Sequence, residues 1–125
     1  MRMLDANMIL RYLLNDNEKM ADEAERIIRE GNVWITIEVL AEVVYVLKGV
    51  YSIGREEIKS SLLGFMSEVE SNENEVIEVG LKTYAEQNLD FVDCILYAYY
   101  KVKNCEIKTF DKKLKFLLEQ KDILD

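Results

Sequence analysis

The chain has 125 residues, of which 50% are hydrophobic and 32% are charged, and its formal net charge is −8. This length and composition predict a single globular domain over residues 1–125, with no apolar run long enough to cross a membrane. Histidine is absent, which excludes a Ser-His-Asp or Cys-His nucleophile and a His-ligated metal site. If the protein is an enzyme, carboxylates must carry its chemistry.

The charge is unevenly distributed along the chain. Residues 1–100 contain 9 basic and 19 acidic side chains, whereas residues 101–125 contain 7 lysines and 5 acids. An acidic protein is a weak equilibrium binder of nucleic acid, because contacts with phosphate supply most of the non-specific affinity. Bound cations invert the charge of a site, so the composition is compatible with a nucleic-acid enzyme.

The N-terminus lacks the basic, apolar and small-residue segments of a secretory signal, which predicts a cytoplasmic protein. Cys94 falls in an apolar helical segment and Cys105 at the start of a predicted strand, and neither belongs to a CxxC pair. We expect both to be buried free thiols, because cysteine is among the most buried residue types.

The first stretch is a short apolar run that ends at Asp5, and a helical pattern follows over residues 6–14. We interpret the run as a central strand that delivers Asp5 to the carboxyl edge of a parallel sheet, where ligands bind. Asp is also a good helix N-cap, so the alternative is that Asp5 only accepts the first N–H groups of the helix.

The next elements follow from the spacing of apolar residues. Helical spacing predicts a helix over residues 18–30, which Gly31 would end. Residues 33–37 form a continuous apolar, β-rich run typical of a strand buried on both faces. Helical patterns then cover residues 37–49 and residues 55–69.

The second half continues the alternation. Residues 76–79 predict a short third strand, which leads into a helix around Leu81. Residues 88–100 predict a helix that is apolar nearly all round and therefore deeply buried. A strand over residues 106–110 and a last helix over residues 112–118 complete the chain. Strands that alternate with helices indicate an α/β fold with a parallel sheet covered on both faces.

Five acids are not simply part of a solvated face. Asp5 and Asp111 end predicted strands, whereas Glu42, Asp90 and Asp93 interrupt apolar helical segments. Asp111 alone would be read as an N-cap, and Asp90 and Asp93 have the spacing of a capping box, although its second residue is usually Glu or Gln. For Glu42 a structural role is hardest to find, because an unpaired carboxylate is costly to bury among apolar residues. A bound cation would compensate it.

These acids belong to four motifs that occur in a fixed order. They are Asp5 with Ala6-Asn7 and an apolar helix, Thr-x-x-x-Leu-Ala-Glu over residues 36–42, Asp-Phe-Val-Asp over residues 90–93, and Thr-Phe-Asp over residues 109–111. This series resembles a PIN domain and, more narrowly, the VapC-type toxin nucleases of bacterial and archaeal toxin–antitoxin pairs. The match covers essentially the whole chain, without a large insertion.

The resemblance implies a three-layer α/β/α fold with a central parallel sheet, and an endoribonuclease that uses Mg²⁺ or Mn²⁺. It also implies a homodimer and a dedicated antitoxin protein. The family's catalytic and metal-binding acids match Asp5, Glu42, Asp93 and Asp111. Its Asn after the first acid matches Asn7, and its Ser or Thr two residues before the last acid matches Thr109.

The chemistry is reasonable without the resemblance. Several carboxylates share a site only if some of them are protonated or cations neutralise them. Oxygen ligands without histidine favour Mg²⁺ or Mn²⁺, which activate water for attack on a phosphodiester. We expect Asp5, Glu42 and Asp93 to be the main ligands. The supporting set is Asp111, which closes the site, Asp90 as a further candidate, and Asn7 and Thr109, which orient ligands.

Two other classes of protein share features with this sequence. A haloacid-dehalogenase-like phosphotransferase also has an Asp after its first strand, but its pattern is Asp-x-Asp, whereas this chain has Asp5-Ala6-Asn7. A catalytically silent binding module would be favoured if one of the acids were replaced, and none is.

For the homodimer, the apolar faces at residues 21–28 and 58–69 are candidate surfaces, unless they simply cover the sheet.

Overall fold

The computed structural model describes residues 1–120, in which the chain forms two strands and seven helices. These are β1 (Arg2–Met3), α1 (Ala6–Leu14), α2 (Glu18–Glu30), β2 (Val33–Trp34), α3 (Ile37–Gly49), α4 (Arg55–Met66), α5 (Asn74–Glu86), α6 (Phe91–Lys103) and α7 (Lys112–Glu119). The chain divides into two compact units: unit 1 is Met1–Asn74, and unit 2 begins at Glu75. No helix in the described part is both long and apolar enough to span a membrane.

The sheet of unit 1 is parallel and small. In β1 and β2, Arg2 lies opposite Val33 and Met3 opposite Trp34. Glu70 forms an isolated parallel bridge with Trp34 on the other side of β2. The Glu70 N–H donates to the Val33 carbonyl at 2.8 Å, and the Ile35 N–H donates to the Glu70 carbonyl at 2.9 Å. The α/β class with a parallel sheet, which the sequence predicted, is confirmed.

Two predicted strands are wrong. Residues 76–79 lie in α5, where burial of Val76, Ile77, Gly80 and Leu81 follows a helical period. Four residues are too few to distinguish a strand from one helical turn, and the third parallel partner of the sheet is Glu70 instead. Residues 106–110 form neither strand nor helix, and they alternate between exposed and half-buried side chains.

Three of the four helices of unit 1, α1, α2 and α3, begin at side chains that satisfy their first N–H groups, whereas α4 follows Gly54, which has no side chain to cap it. The accepting atoms are Asp5 Oδ1 from Met8 N at 2.9 Å, Asn17 Oδ1 from Met20 N at 3.1 Å, and Thr36 Oγ1 from Val39 N at 3.2 Å. α2 ends at Glu30, and Gly31 follows with a φ of 83°. The predicted helix over residues 18–30 is therefore confirmed at both ends.

The core of unit 1 is built by helix packing: α1 packs against α2 and α3, and α3 packs against α4. Its fully buried side chains include Ile9, Leu40, Val43, Ile58 and Leu62. The apolar faces at residues 21–28 and 58–69 were candidates for self-association. Their apolar residues are mostly buried in the chain itself, so neither face is left for a partner.

In unit 2, α6 packs against α7. A Cβ atom on Gly80 would lie 2.6 Å from Ile95 Cδ1, so the glycine leaves room for the Ile95 side chain. α6 buries Cys94 but exposes Val92, so the expectation of a helix buried nearly all round is wrong. Cys94 is a buried free thiol, as expected, whereas Cys105 is exposed because the strand predicted for it does not form.

Arg2 links the sheet of unit 1 to the last turn of α2. Its Nη2 donates to the carbonyls of Ile27 and Gly31, both at 2.7 Å, and its Nη1 contacts Glu30 at 3.0 Å. Arg2→Met leaves these carbonyls without a charged donor, so we expect the free energy of unfolding to fall by roughly 1–2 kcal/mol. Urea denaturation measures this loss.

The matched control is Arg29→Met. Arg29 is 78% exposed and pairs with Glu25 on its own helix, so its loss should change stability by less than about 0.5 kcal/mol. Equal losses in the two variants would show that the contacts of Arg2 with α2 contribute nothing specific.

Candidate active site

Asp5 lies at the carboxyl end of the sheet and also caps a helix. It follows β1, and its Oδ1 accepts the Met8 N–H at 2.9 Å. Asp5 therefore ends a strand and caps a helix, but β1 lies at the edge of the sheet, because β2 is the strand that pairs on both sides, and the expectation of a central strand is wrong. A role of Asp5 in binding a ligand stays a prediction. The second carboxylate oxygen, Oδ2, accepts no hydrogen bond from residues 1–120. Thr36 follows the neighbouring strand β2 and caps α3 in the same way.

Glu42 and Asn7 are the other predicted site residues of unit 1. Glu42 lies on α3 between the buried Leu40 and Val43, but its side chain is exposed. The cost of burying an unpaired carboxylate, which made Glu42 prominent in the sequence, therefore does not arise. Asn7 is exposed in the first turn of α1.

Asp111 is the N-cap of α7, as one interpretation of the sequence held. Its Oδ1 accepts the Leu114 N–H at 2.8 Å, and its own N–H donates to Thr109 Oγ1 at 3.0 Å. Thr109 thus holds the backbone at Asp111, while α7 holds one carboxylate oxygen. The second oxygen, Oδ2, accepts no hydrogen bond from residues 1–120.

The two roles of Asp111 are separable by substitution. Asn caps a helix as well as Asp does, so we expect Asp111→Asn to keep the stability of the wild type, whereas Asp111→Ala should lose about 1 kcal/mol. Thermal unfolding followed by circular dichroism compares the two. If Asp111→Ala were as stable as Asp111→Asn, the hydrogen bond to Leu114 would not stabilise the helix.

Asp90 and Asp93 do not form the capping box that their spacing suggested. Asp90 occupies the N-cap position of α6, but its side chain makes no capping hydrogen bond. Asp93 lies in the first turn of α6 and is half-buried. Neither carboxylate is paired with any of residues 1–120 through a hydrogen bond or an ion pair. Neither side chain therefore contributes a hydrogen bond or an ion pair to the local structure.

Three of the predicted site acids come together in unit 2. Asp90, Asp93 and Asp111 line a pocket of about 340 Å³, with Lys112 and Lys113 on its wall. Burial raises the pKa of Asp93, and the negative charges of Asp111 and Asp90 raise this pKa further. We call this the carboxylate pocket. Asp5, Asn7 and Glu42 belong to unit 1.

The donor chemistry of these residues fits a hard divalent cation. In residues 1–120, no group of three or more Asp, Glu or Cys side chains is arranged to hold a metal ion. The carboxylate pocket nevertheless offers free carboxylate oxygens whose mutual repulsion a cation would relieve, and it contains no histidine or cysteine side chain. Such a donor set suits Mg²⁺ or Mn²⁺.

Sequence reasoning did not single out two residues of the carboxylate pocket, Lys112 and Lys113. Their signal was present, because the last 25 residues carry an excess of lysine in an acidic protein. These lysines directly follow Asp111, which places positive charge beside the acids.

Comparison with known proteins bears on the whole series of acids. The PIN domain family matches residues 2–117, a range that includes Asp5, Glu42, Asp93 and Asp111. Neither the comparison with curated proteins nor that with solved structures gives a significant match. Because the family match spans almost the entire sequence, the chain belongs to the PIN-domain family.

Proposed function

We propose that the protein is a metal-dependent endoribonuclease that hydrolyses RNA phosphodiester bonds. PIN domains are generally nucleases, which supports a hydrolase. One observation carries the proposal further: the carboxylate pocket gathers Asp90, Asp93 and Asp111, and burial, together with the charges of Asp111 and Asp90, raises the pKa of Asp93. Three carboxylates that share one pocket repel one another, and a bound cation would relieve this repulsion.

In this proposal, Asp5, Glu42, Asp93 and Asp111 hold Mg²⁺ or Mn²⁺. The order of the four motifs along the chain supports this assignment. When bound, the cation lowers the pKa of a water molecule and stabilises charge on the departing oxygen. The chain supplies no nucleophile of its own.

The remaining residues orient and complete this set. Thr109 keeps Asp111 in place by accepting its N–H. Asn7 orients a ligand from the first turn of α1, and Asp90 adds negative charge beside Asp93. These residues tune the ligands without reacting themselves.

Mapping of RNA ends tests the proposed activity. Total cellular RNA is incubated with the protein and Mg²⁺ or Mn²⁺, and new 5′ and 3′ ends are sequenced. Defined new ends that require the metal support an endoribonuclease. RNA that is bound but left intact would instead support a catalytically silent RNA-binding module.

We further propose that this nuclease is the toxin of a VapC-type pair, active in the cytoplasm and inhibited by a cognate antitoxin protein. The motif series of the chain supports this narrower assignment. Induced expression in a bacterial host should arrest growth, whereas Asp93→Asn should not. Growth arrest that a small protein encoded beside the gene relieves would identify the antitoxin. Unchanged growth would favour a PIN nuclease without a toxin role.

A homodimer is part of the same proposal, and we assign the exposed side chain of Tyr45 on α3 to its interface. Tyr45 is 77% exposed. We expect light scattering to return twice the mass of one chain. Tyr45→Asp should weaken the dimer by at least about tenfold, since a charge in an apolar interface is costly.

Met20→Asp provides the control for this prediction, because Met20 is an exposed apolar residue on a different helix, α2. It should leave the dimer intact. A monomer at high protein concentration would contradict the homodimer, and equal weakening by both substitutions would contradict the assigned surface.

A further inference from the structure

A second pocket of unit 2 adjoins the carboxylate pocket. It has a volume of about 350 Å³, and Asn88, Leu89, Lys112 and Lys113 line both pockets. Its own wall is formed by Gln87, Phe116, Leu117 and Gln120. We call it the flanking pocket. Because the two pockets share four residues, one extended polymer can occupy both of them.

The flanking pocket combines positive charge with an exposed aromatic ring. Lys112 and Lys113 form no ion pair with any of residues 1–120, although many other charged side chains of the protein do. Phe116 is 65% exposed, one turn further along the same helix. The flanking pocket thus brings one exposed ring and two unpaired ammonium groups together on one wall, in a protein with a net charge of −8.

These groups match the chemistry of a nucleotide. Ammonium groups contact phosphate, and an exposed aromatic ring stacks on the face of an unpaired base. The side-chain amide of Gln120 adds a hydrogen-bonding group at the same wall. An acidic peptide would use the lysines, but it carries no base to stack on Phe116.

We propose that the flanking pocket binds the nucleotide next to the scissile bond of a single-stranded RNA. Lys112 and Lys113 hold its phosphate, and Phe116 stacks on its base. A base within a duplex cannot offer its face to the ring, so the pocket selects single strands. This inference rests on the proposed ribonuclease function, because that function places the scissile bond at the carboxylate pocket.

The test measures RNA binding separately from cleavage. Fluorescence anisotropy follows a labelled single-stranded RNA octamer on the full chain in EDTA, where the proposed function predicts no cleavage. The variants are Lys112→Ala with Lys113→Ala, Phe116→Leu and Phe116→Trp. Lys115→Ala is the matched control, because Lys115 lies on the same helix but lines neither pocket.

We expect the double lysine variant and Phe116→Leu each to raise the Kd for RNA by about tenfold. Phe116→Trp should bind like the wild type, because a larger ring still stacks. Lys115→Ala should change the Kd by less than about twofold. Because the two lysines neutralise one phosphate, the double variant should also reduce the magnitude of the slope of log K against log salt by about 0.7. Unchanged melting temperatures exclude misfolding as the cause.

The outcomes separate the inference from the proposed function. If the wild type cleaves RNA with Mg²⁺ or Mn²⁺ while all variants bind RNA equally, the flanking pocket is overturned and the nuclease stands. If the variants lose RNA binding as expected but the wild type cleaves no RNA, the nucleotide-binding role of the flanking pocket is supported and the nuclease function is contradicted. If the double lysine variant loses binding of an oligo-glutamate peptide but keeps binding of RNA, the site binds acidic peptides and the inference is overturned.

Discussion

Asp93→Asn is expected to reduce RNA cleavage by at least about 10²–10³-fold while the protein stays folded. Asp93 is half-buried in the carboxylate pocket, and this burial raises its pKa, as do the neighbouring charges of Asp111 and Asp90. The substitution removes a metal ligand but keeps nearly the same size. It also removes a charge that is unfavourable without a cation, so the fold should not suffer.

Asp5→Asn and Asp111→Asn extend this test to both units. Each of these acids caps a helix through one carboxylate oxygen, and Asn caps equally well. A loss of activity in these variants therefore reports the loss of the charged ligand and not the loss of the helix. Initial rates on a defined RNA substrate, with circular dichroism of each variant, measure both properties.

Glu86→Gln is the matched control for these substitutions. Glu86 is an exposed acid at the end of α5, in unit 2, and lines neither pocket. Its activity should equal that of the wild type. Full cleavage by Asp93→Asn, or by the wild type in excess EDTA, would contradict a metal-dependent carboxylate site.

The second large effect concerns thermal stability in the presence of metal. A ligand that binds only the folded chain stabilises it by about 2.7 kcal/mol at one hundred times its Kd. For a domain of this size, that corresponds to an increase in Tm of roughly 10 °C. We expect such an increase for the wild type with Mg²⁺ or Mn²⁺ and a much smaller one for Asp93→Asn.

Glu42 decides between two interpretations in the same experiment. Glu42 is exposed on α3. If it is only a surface acid, Glu42→Gln should change the free energy of unfolding by less than about 0.5 kcal/mol, and the variant should keep the full metal-induced shift in Tm. If Glu42 is a metal ligand, the Glu42→Gln variant should lose most of the metal-induced shift in Tm and also its RNA cleavage. Equal shifts in Glu42→Gln and in the wild type would remove Glu42 from the site.

Differential scanning fluorimetry in EDTA, Mg²⁺ and Mn²⁺ provides these values, with NaCl at matched ionic strength to exclude general screening. In EDTA, Asp93→Asn should melt at a higher temperature than the wild type. The reason is the sign of its pKa shift: a carboxyl whose folded pKa is raised destabilises the fold once the pH exceeds its unfolded pKa. A lower Tm for the metal-free variant would contradict this repulsion.

Features encoded within a few residues could be predicted from the sequence. Asn17 and Gly31 bound α2 because capping and chain reversal are decided locally, and Asp5 caps α1 for the same reason. The acids of the candidate site were found because each interrupts an apolar pattern or ends one. The family resemblance then joined them in order along the chain.

Other features depend on neighbours that are distant in the sequence. The strand expected over residues 76–79 is helical, whereas Glu70, in a polar stretch, pairs with Trp34. A short apolar run satisfies either a helix or a strand, and the contacts available on each face decide between them. The strand expected over residues 106–110 does not form either, and Cys105 beside it is exposed.

The tertiary structure alone decided which acids meet. The sequence determined that Asp5, Glu42, Asp90, Asp93 and Asp111 are candidates, but their spacing also allowed each to be a cap or a surface charge. Folding places Asp93 within the electrostatic reach of Asp111, 18 positions later, and joins both to Lys112 and Lys113 in one pocket. Such proximity arises from the packing of α6 against α7, and no local pattern of residues encodes it.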